Sequence, residues 1–240
     1  MAAVEDALPR ILDAHGGLHY WNSLSSIEVE ISANGFLFAA KRVPPLRHTR
    51  LTLDTRTPHV VTHDYPVPGQ RSILIGCARI EIRDADDNVV AARDDPRRAF
   101  GGRRTLLHWD ALDFAYFSSY AMWNYLCLPF LLTYPGVSVR QVPGEQTVLS
   151  ADFPVGIPTH SPTQEFHFDA SGLLIRHDYT AEVVGSWARA AHLSTEFRQF
   201  GGLRVSTVRR VYPRGPLGRP LPFPTLVAID IHDVAPRTVA

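Results

Sequence analysis

Lysine is nearly missing from this chain: Lys41 is the only one among 240 residues, so arginine supplies almost all the positive charge. A solitary lysine invites a Schiff-base reading, because burial shifts a lysine pKa readily. Its setting, Ala39-Ala40-Lys41-Arg42 beside a second charge, reads instead as a solvated strand end in an arginine-rich composition. Cysteine is also scarce. Cys77 and Cys127 stand alone, which excludes a disulfide framework and any CxxC motif. Net charge is absent too: 24 basic residues balance 24 acidic ones, so no overall field draws nucleic acid or anionic lipid. The N-terminus, Met1-Ala2-Ala3-Val4-Glu5-Asp6, lacks a basic segment leading into an apolar run. It does not read as a secretory signal, and the expected location is the cytoplasm.

The usual motifs of metal and nucleotide chemistry are missing as well. There is no HExxH, HxH, GxSxG, Walker loop or GxGxxG, so neither a metal nor a cofactor is expected. His59 and His63 are four apart, but in an extended segment that spacing covers about 13 Å. His-Asp pairs at His63-Asp64, His177-Asp178 and His232-Asp233 fall in expected strands, not on the helical scaffold of HD phosphohydrolases. Arg97-Arg98 and Arg103-Arg104 read as a solvated loop.

What is present is enough apolar sequence, 45% of residues, to build a core unaided. Val4, Leu8, Ile11 and Leu12 predict a helix over Val4–His15, ended by Gly16-Gly17. Ile27, Val29, Ile31 and Ala33 then alternate with polar residues, which predicts a half-buried strand. Further short strands are expected at Phe36–Lys41, Leu46–Leu53, His59–Tyr65, Arg71–Ile75, Ala78–Arg83 and Val89–Arg93. After a helical stretch, strands return at Val137–Val142, Gln164–Asp169, Leu173–Val184, Ala190–Phe197, Leu203–Tyr212 and Leu226–His232. Short strands at this spacing make an antiparallel meander, and no linker divides residues 1–240 into two domains.

From Phe114 to Val139 no residue is charged. The length would span a bilayer, which takes about 20 apolar residues. Pro129 and aromatics distributed throughout argue instead for a helix over Leu106–Leu128 buried by its own protein. Tyr116, Tyr120, Trp123 and Cys127 recur at spacings of three and four and share a helix face. With Asn124 beside them, these phenols and the indole suit either a core stripe or the wall of a pocket.

The densest polar chemistry lies between Thr159 and His192. Alternation places Leu173, Ile175, His177 and Tyr179 on an inward face and leaves Arg176, Asp178, Thr180 and Glu182 to solvent. Phe166 and Phe168 face inward in the partner strand, with His167 outward. His192 follows in the next strand, and Leu203, Val205, Thr207, Arg209 and Val211 share a face that turns Arg209 inward. An inward His177 as base, with Tyr179, Tyr116 or Tyr120 as acid and Arg209 as charge stabiliser, would serve cofactor-free acid/base chemistry. The same groups would equally satisfy one another as core hydrogen-bonding residues.

The segment Phe166-His167-Phe168-Asp169-Ala170-Ser171-Gly172-Leu173-Leu174, with Tyr179 ending the next strand, is similar to the hairpin of the lipoprotein-localisation-factor (LolA/LolB-like) half-barrels. The order of elements also fits: N-terminal helix, meander, central helices, returning strands. The stretch Tyr116–Phe130 resembles uncharacterised bacterial proteins as well, which carries no activity. The resemblance implies an α+β fold in which a strongly bent antiparallel sheet wraps central helices and encloses an apolar ligand. Trp123, Asn124, Cys127, Phe166, Phe168, Ile175 and His192 are then the expected ligand-contacting residues. The resemblance carries the pocket and not a function. The titratable groups at its walls point to a cofactor-independent isomerase, cyclase or lyase acting on a polyketide-, terpenoid- or fatty-like molecule, with a non-catalytic carrier or sensor of such ligands as the alternative. The sequence is silent on oligomeric state.

Overall fold

The computed structural model describes residues 2–102, 104–144 and 146–238. Two short helices, α1 (Ala2–Ala14) and α2 (Leu18–Ser23), lead into β1 (Leu24–Asn34) and α3 (Phe36–Lys41). A first meander follows: β2 (Leu46–Asp54), β3 (His59–His63), β4 (Arg71–Ile75), β5 (Arg79–Arg83) and β6 (Val89–Asp94). Next come α4 (Arg104–Leu107) and α5 (Ala111–Cys127). The second meander comprises β7 (Ser138–Val142), β8 (Thr147–Asp152), β9 (Thr163–Phe168), β10 (Leu174–Thr180), β11 (Arg189–Phe200), β12 (Leu203–Pro213) and β13 (Val227–Thr238).

Among the described residues all 13 strands form one antiparallel sheet in the order β6-β5-β4-β3-β2-β1-β13-β12-β11-β10-β9-β8-β7. The two meanders are joined where β1 pairs with β13, from Leu24 opposite Thr238 to Asn34 opposite Ala228. The outer strands, β6 and β7, do not meet, so the bent sheet is an open half-barrel. Alternation in β1 is as the sequence predicts: Ile27, Val29, Ile31 and Ala33 are buried between half-buried polar neighbours.

Helix α5 fills the trough and packs across β3 to β6. Its start is fixed by a reciprocal cap, in which Asp110 accepts from the Asp113 amide and Asp113 accepts from the Asp110 amide. Arg93 bridges both carboxylates, and Pro129, which has no amide hydrogen, stops propagation beyond Leu128. The expected single helix from Leu106 to Leu128 is therefore two, broken ahead of the Asp110 cap. α5 is buried on nearly every side, as an all-round apolar helix should be. No helix among the described residues is long and apolar enough to cross a membrane.

Two expectations fail here. Phe36–Lys41 is a helix, not a strand. Its first amides, on Phe36 and Leu37, donate to the carbonyls of Thr225 and Leu226, so tertiary contacts decide a run whose periodicity is ambiguous. Gly35 makes the approach possible: at φ 136° an added Cβ would lie 2.5 Å from the Leu226 oxygen. Lys41 is not solvated but buried. Its Nζ donates to the carbonyls of Thr105 and Leu106, both at 2.8 Å, and lies 5.3 Å from the Trp109 ring centre. The sequence also gives no hint of β8, which pairs with β9 from Thr147 opposite Phe168 to Asp152 opposite Thr163.

Candidate functional site: a histidine and tyrosine cluster beside an apolar cavity

Cross-strand register assembles the site. On the inward face Val227 lies opposite Val211, Val211 opposite His192, His192 opposite His177, His177 opposite Phe166 and Phe166 opposite Leu149. The next rung pairs Tyr179 with Ala190. His177 and Tyr179 therefore point inward as alternation predicts, and both are buried. The expected partner Ile175 does not join them. The register slips between Leu174 and Arg176, which returns Leu174 to the core and leaves Ile175 half-buried.

The centre of the cluster is a residue the alternation could not reveal. His160 sits in the irregular Pro158–Pro162 segment and is wholly buried. Three hydrogen-bonded anchors hold that segment: Asn124 Nδ2 donates to the Pro158 carbonyl, Arg97 to the Thr159 and His160 carbonyls, and Gln164 Nε2 to the Ser161 carbonyl. The His160 ring stacks on Tyr179 with centroids 3.9 Å apart. Its Nδ1 lies 3.2 Å from the Tyr120 hydroxyl and its Nε2 2.7 Å from the Tyr125 hydroxyl. The Tyr125 hydroxyl lies 2.9 Å from that of Tyr179, so a continuous chain runs Tyr120–His160–Tyr125–Tyr179.

His177 is placed differently. The Gln164 amide is oriented by its bond to Ser161, so its Oε1 accepts from His177 Nε2–H at 2.5 Å. That leaves His177 Nδ1 bare and without a partner, and both ring nitrogens of His192 are likewise unpaired among the described residues. His177 stacks on Phe166 at 4.6 Å, and His192 meets Tyr125 edge-on at 4.3 Å.

Burial sets the charge state. Desolvation lowers the His160 pKa to about 3, with the Arg97 guanidinium adding in the same direction. Burial also pushes His177 and His192 well below the ordinary histidine value. It raises Tyr120, Tyr125 and Tyr179 above the ordinary phenol value. At neutral pH the cluster consists of uncharged imidazoles and uncharged phenols.

One side of this cluster opens to a cavity of about 320 Å³. Phe117, Ala181, Val184, Ala190, Val211 and Leu226 form much of its wall, and His160 and Tyr179 reach it from the cluster. Its rim includes three exposed apolar residues, Phe36, Leu106 and Trp187. His177, His192 and Arg209 do not line it.

The helical stripe does not form one wall. Tyr120 joins His160, but Tyr116 turns toward Phe100 and a second cavity of about 310 Å³ beside Arg97 and Phe153. Trp123 donates from Nε1 to the Asp54 carbonyl and packs edge-on against Tyr134. Cys127 is buried among apolar neighbours, where desolvation raises its thiol pKa far above the ordinary value. Asn124 braces the His160 segment rather than facing the large cavity. Phe168 is core. Arg97, expected in a solvated loop, clamps that same segment and pairs with Glu182; Arg103 lies outside the described residues.

On the opposite face Glu165, His167 and Asp178 bring possible metal-ligand atoms within 4.8 Å of one another. Asp178, expected in solvent, is buried there. It accepts from Arg176 at 2.7 Å, with the Arg214 guanidinium 3.0 Å away and His167 Nε2 3.4 Å away. Two guanidinia already occupy the place a cation would take, so the donor set fits an ion-pair network better than a metal.

No protein-family model matches the chain, and no curated protein sequence does. Among solved structures it is similar to a LolA superfamily protein from Nitrosomonas europaea, with a TM-score of 0.52 and 9% identity over 96% of this chain and 93% of that one. It is also similar to a DUF1329 family protein from Desulfovibrio piger, with a TM-score of 0.48 and 13% identity over 97% of this chain and 92% of that one. The fold is LolA-like, an open half-barrel wrapped around helices.

Proposed function

We propose that the protein is a non-catalytic carrier or sensor of a small hydrophobic molecule. The observation that carries this reading is the roughly 320 Å³ cavity, whose wall is built from Phe117, Ala181, Val184, Ala190, Val211 and Leu226. Its size falls within the range of small-molecule sites, about 300–1,000 Å³. The few polar groups at its wall suit orientation of a ligand. Tyr179 and His160 reach the cavity from the cluster, and Lys41, Arg189 and Arg214 also border it, so a ligand with one polar end and an apolar body matches the wall.

Acid/base catalysis fits this geometry less well. A general base works best with a pKa near the operating pH. His160 is held near 3 with both nitrogens engaged, and His177 lies behind Tyr179, away from the cavity. One observation favours a second, enzymatic reading: the chain of hydroxyls and imidazole from Tyr120 to Tyr179 reaches the cavity wall and is able to relay a proton.

Native mass spectrometry of the purified protein, alone and after incubation with apolar lipids, tests both. A carrier holds an apolar adduct one-to-one and releases it unchanged. Ala181→Trp, which fills the cavity from a half-buried position, abolishes the adduct. Absence of any adduct, or an adduct retained by Ala181→Trp, overturns the carrier reading. An altered molecule in wild type beside an intact one in Tyr179→Phe establishes turnover instead.

A further inference from the structure

The interior carries a positive charge without a carboxylate partner among the described residues. Arg209 is 6% exposed, and no carboxylate among the described residues pairs with it. Its Nη2 donates to the Tyr125 carbonyl at 3.2 Å, and its guanidinium carbon lies 5.7 Å from the Tyr125 ring centre. Its Nε has no acceptor among the described residues. Burial lowers its pKa only to about 10, so it remains charged at neutral pH.

The titratable groups around it supply no counter-charge. His15, His177 and His192 are held neutral by burial, and the Tyr125 phenol stays protonated. His15 is also fully committed: Nε2 accepts from the Leu174 amide, which leaves Nδ1–H to donate to the Ile11 carbonyl. Asp169, the carboxylate whose field reaches His15, already accepts from the Ser171 and Leu173 amides. An isolated buried ion costs several kcal/mol unless something pairs with it.

A void of about 20 Å³ lies against Arg209, bounded also by Tyr125, His15, Ser206 and Arg204. About 10–15 Å³ of such space already admits one water-sized species. The exposed Arg204 also borders this void. None of its lining residues lines the large apolar cavity. We propose that this void is a binding site for a small monovalent anion of halide size, with Arg209 as its principal ligand. Phosphate and sulfate exceed the space, and water fills it without neutralising the charge. The anion acts as a buried counter-ion and is independent of the ligand in the apolar cavity.

The test uses the intact chain exchanged into chloride-free gluconate buffer at pH 7. Its thermal midpoint is followed through a chloride titration at constant ionic strength. Binding to the native state predicts a rise that becomes logarithmic in chloride above the dissociation constant and reaches about 5 to 10 °C at a hundredfold excess over it. Arg209→Met keeps the length of the stem, removes the charge and loses that response. Crystals of the wild type soaked in bromide show an anomalous peak against Arg209 Nε. A flat wild-type titration, an undiminished response in a folded Arg209→Met, or no bromide peak beside Arg209 overturns the proposal. If Arg209→Met does not fold, the bromide peak decides.

Discussion

His177 and His192 face each other directly across β10 and β11, with ring centroids 6.1 Å apart and both rings sealed from solvent. Two imidazolium ions cannot share that space, and His160 and His15 are buried nearby in the same uncharged form. In the unfolded chain all four titrate near 6.5. In the folded chain His15 titrates near 4 and His160 near 3, with His177 and His192 well below their ordinary value. The unfolded state thus binds more protons below pH 6.5. Stability is fully present above that pH and falls as pH drops toward 4 and 3, at up to about 1.4 kcal/mol per pH unit for each histidine. Urea unfolding between pH 4 and 8 measures the slope. His192→Phe loses no hydrogen bond, so it is expected to cost under about 1.5 kcal/mol at pH 8 and to move acid unfolding to lower pH. An unchanged acid midpoint in that variant would remove His192 from the account.

Asp178 gives the opposite kind of prediction. Burial works to raise its pKa, but the nearby His167, the hydrogen bonds from Arg176 and the charges of Arg176 and Arg214 hold it below the ordinary carboxylate value. Asp178→Asn leaves two guanidinia facing an uncharged amide and is expected to cost about 3–5 kcal/mol. Glu165→Gln breaks a half-exposed pair with Arg214 and should cost under about 1 kcal/mol. Equilibrium denaturation of the two variants separates them, and equal costs would contradict the network.

How much of this was legible in the sequence follows from periodicity. β1 alternates along its length, and in β10 and β12 the inward parity still holds at His177, Tyr179 and Arg209. Alternation fails where a bulge changes parity, as at Ile175, and where the outer face is covered too, as at Asp178. Helix α5 is buried almost all round, so spacing selects no face. The stripe Tyr116–Tyr120–Trp123–Cys127 is regular, yet Tyr125, outside it, makes the central hydrogen bonds. His160 lies between two prolines in a segment without period, and its position depends on Arg97, Asn124 and Gln164, which are remote in sequence or on other elements. The half-barrel was readable from the order of elements and the hairpin at Phe166–Leu174; the chemistry at its centre was not.

Lys41 shows how a misread element becomes testable. At the end of α3 it ties that helix to α4 through the Thr105 and Leu106 carbonyls. Lys41→Met keeps the stem and orphans two acceptors, at an expected cost of about 1–3 kcal/mol. Because the chain has one lysine, amine labelling followed by peptide mapping reads the same contact: Lys41 should label far more slowly in native protein than in urea. Equal labelling rates would place the side chain in solvent.

The bond between the Tyr125 and Tyr179 hydroxyls gives the sharpest test of the cluster. A neutral imidazole has one donor and one acceptor nitrogen, so the chain has two consistent directions. In one, Tyr179 donates to Tyr125, Tyr125 to His160 Nε2, and His160 Nδ1–H to Tyr120; in the other, every bond reverses. Either direction needs Tyr125 in the middle. Tyr125→Phe leaves His160 Nε2 unpaired in a buried site and is expected to cost about 1–3 kcal/mol. Tyr179→Phe removes only a terminal hydroxyl and should cost about 0.5–1.5 kcal/mol. Once Tyr125 is Phe, the Tyr179 hydroxyl has lost its partner, so the second substitution should cost less than it does alone. A double-mutant cycle is therefore expected to give a coupling of about 0.5–3 kcal/mol. Strict additivity would mean that the two hydroxyls stabilise the fold independently, and the relay to the cavity wall would have no energetic basis.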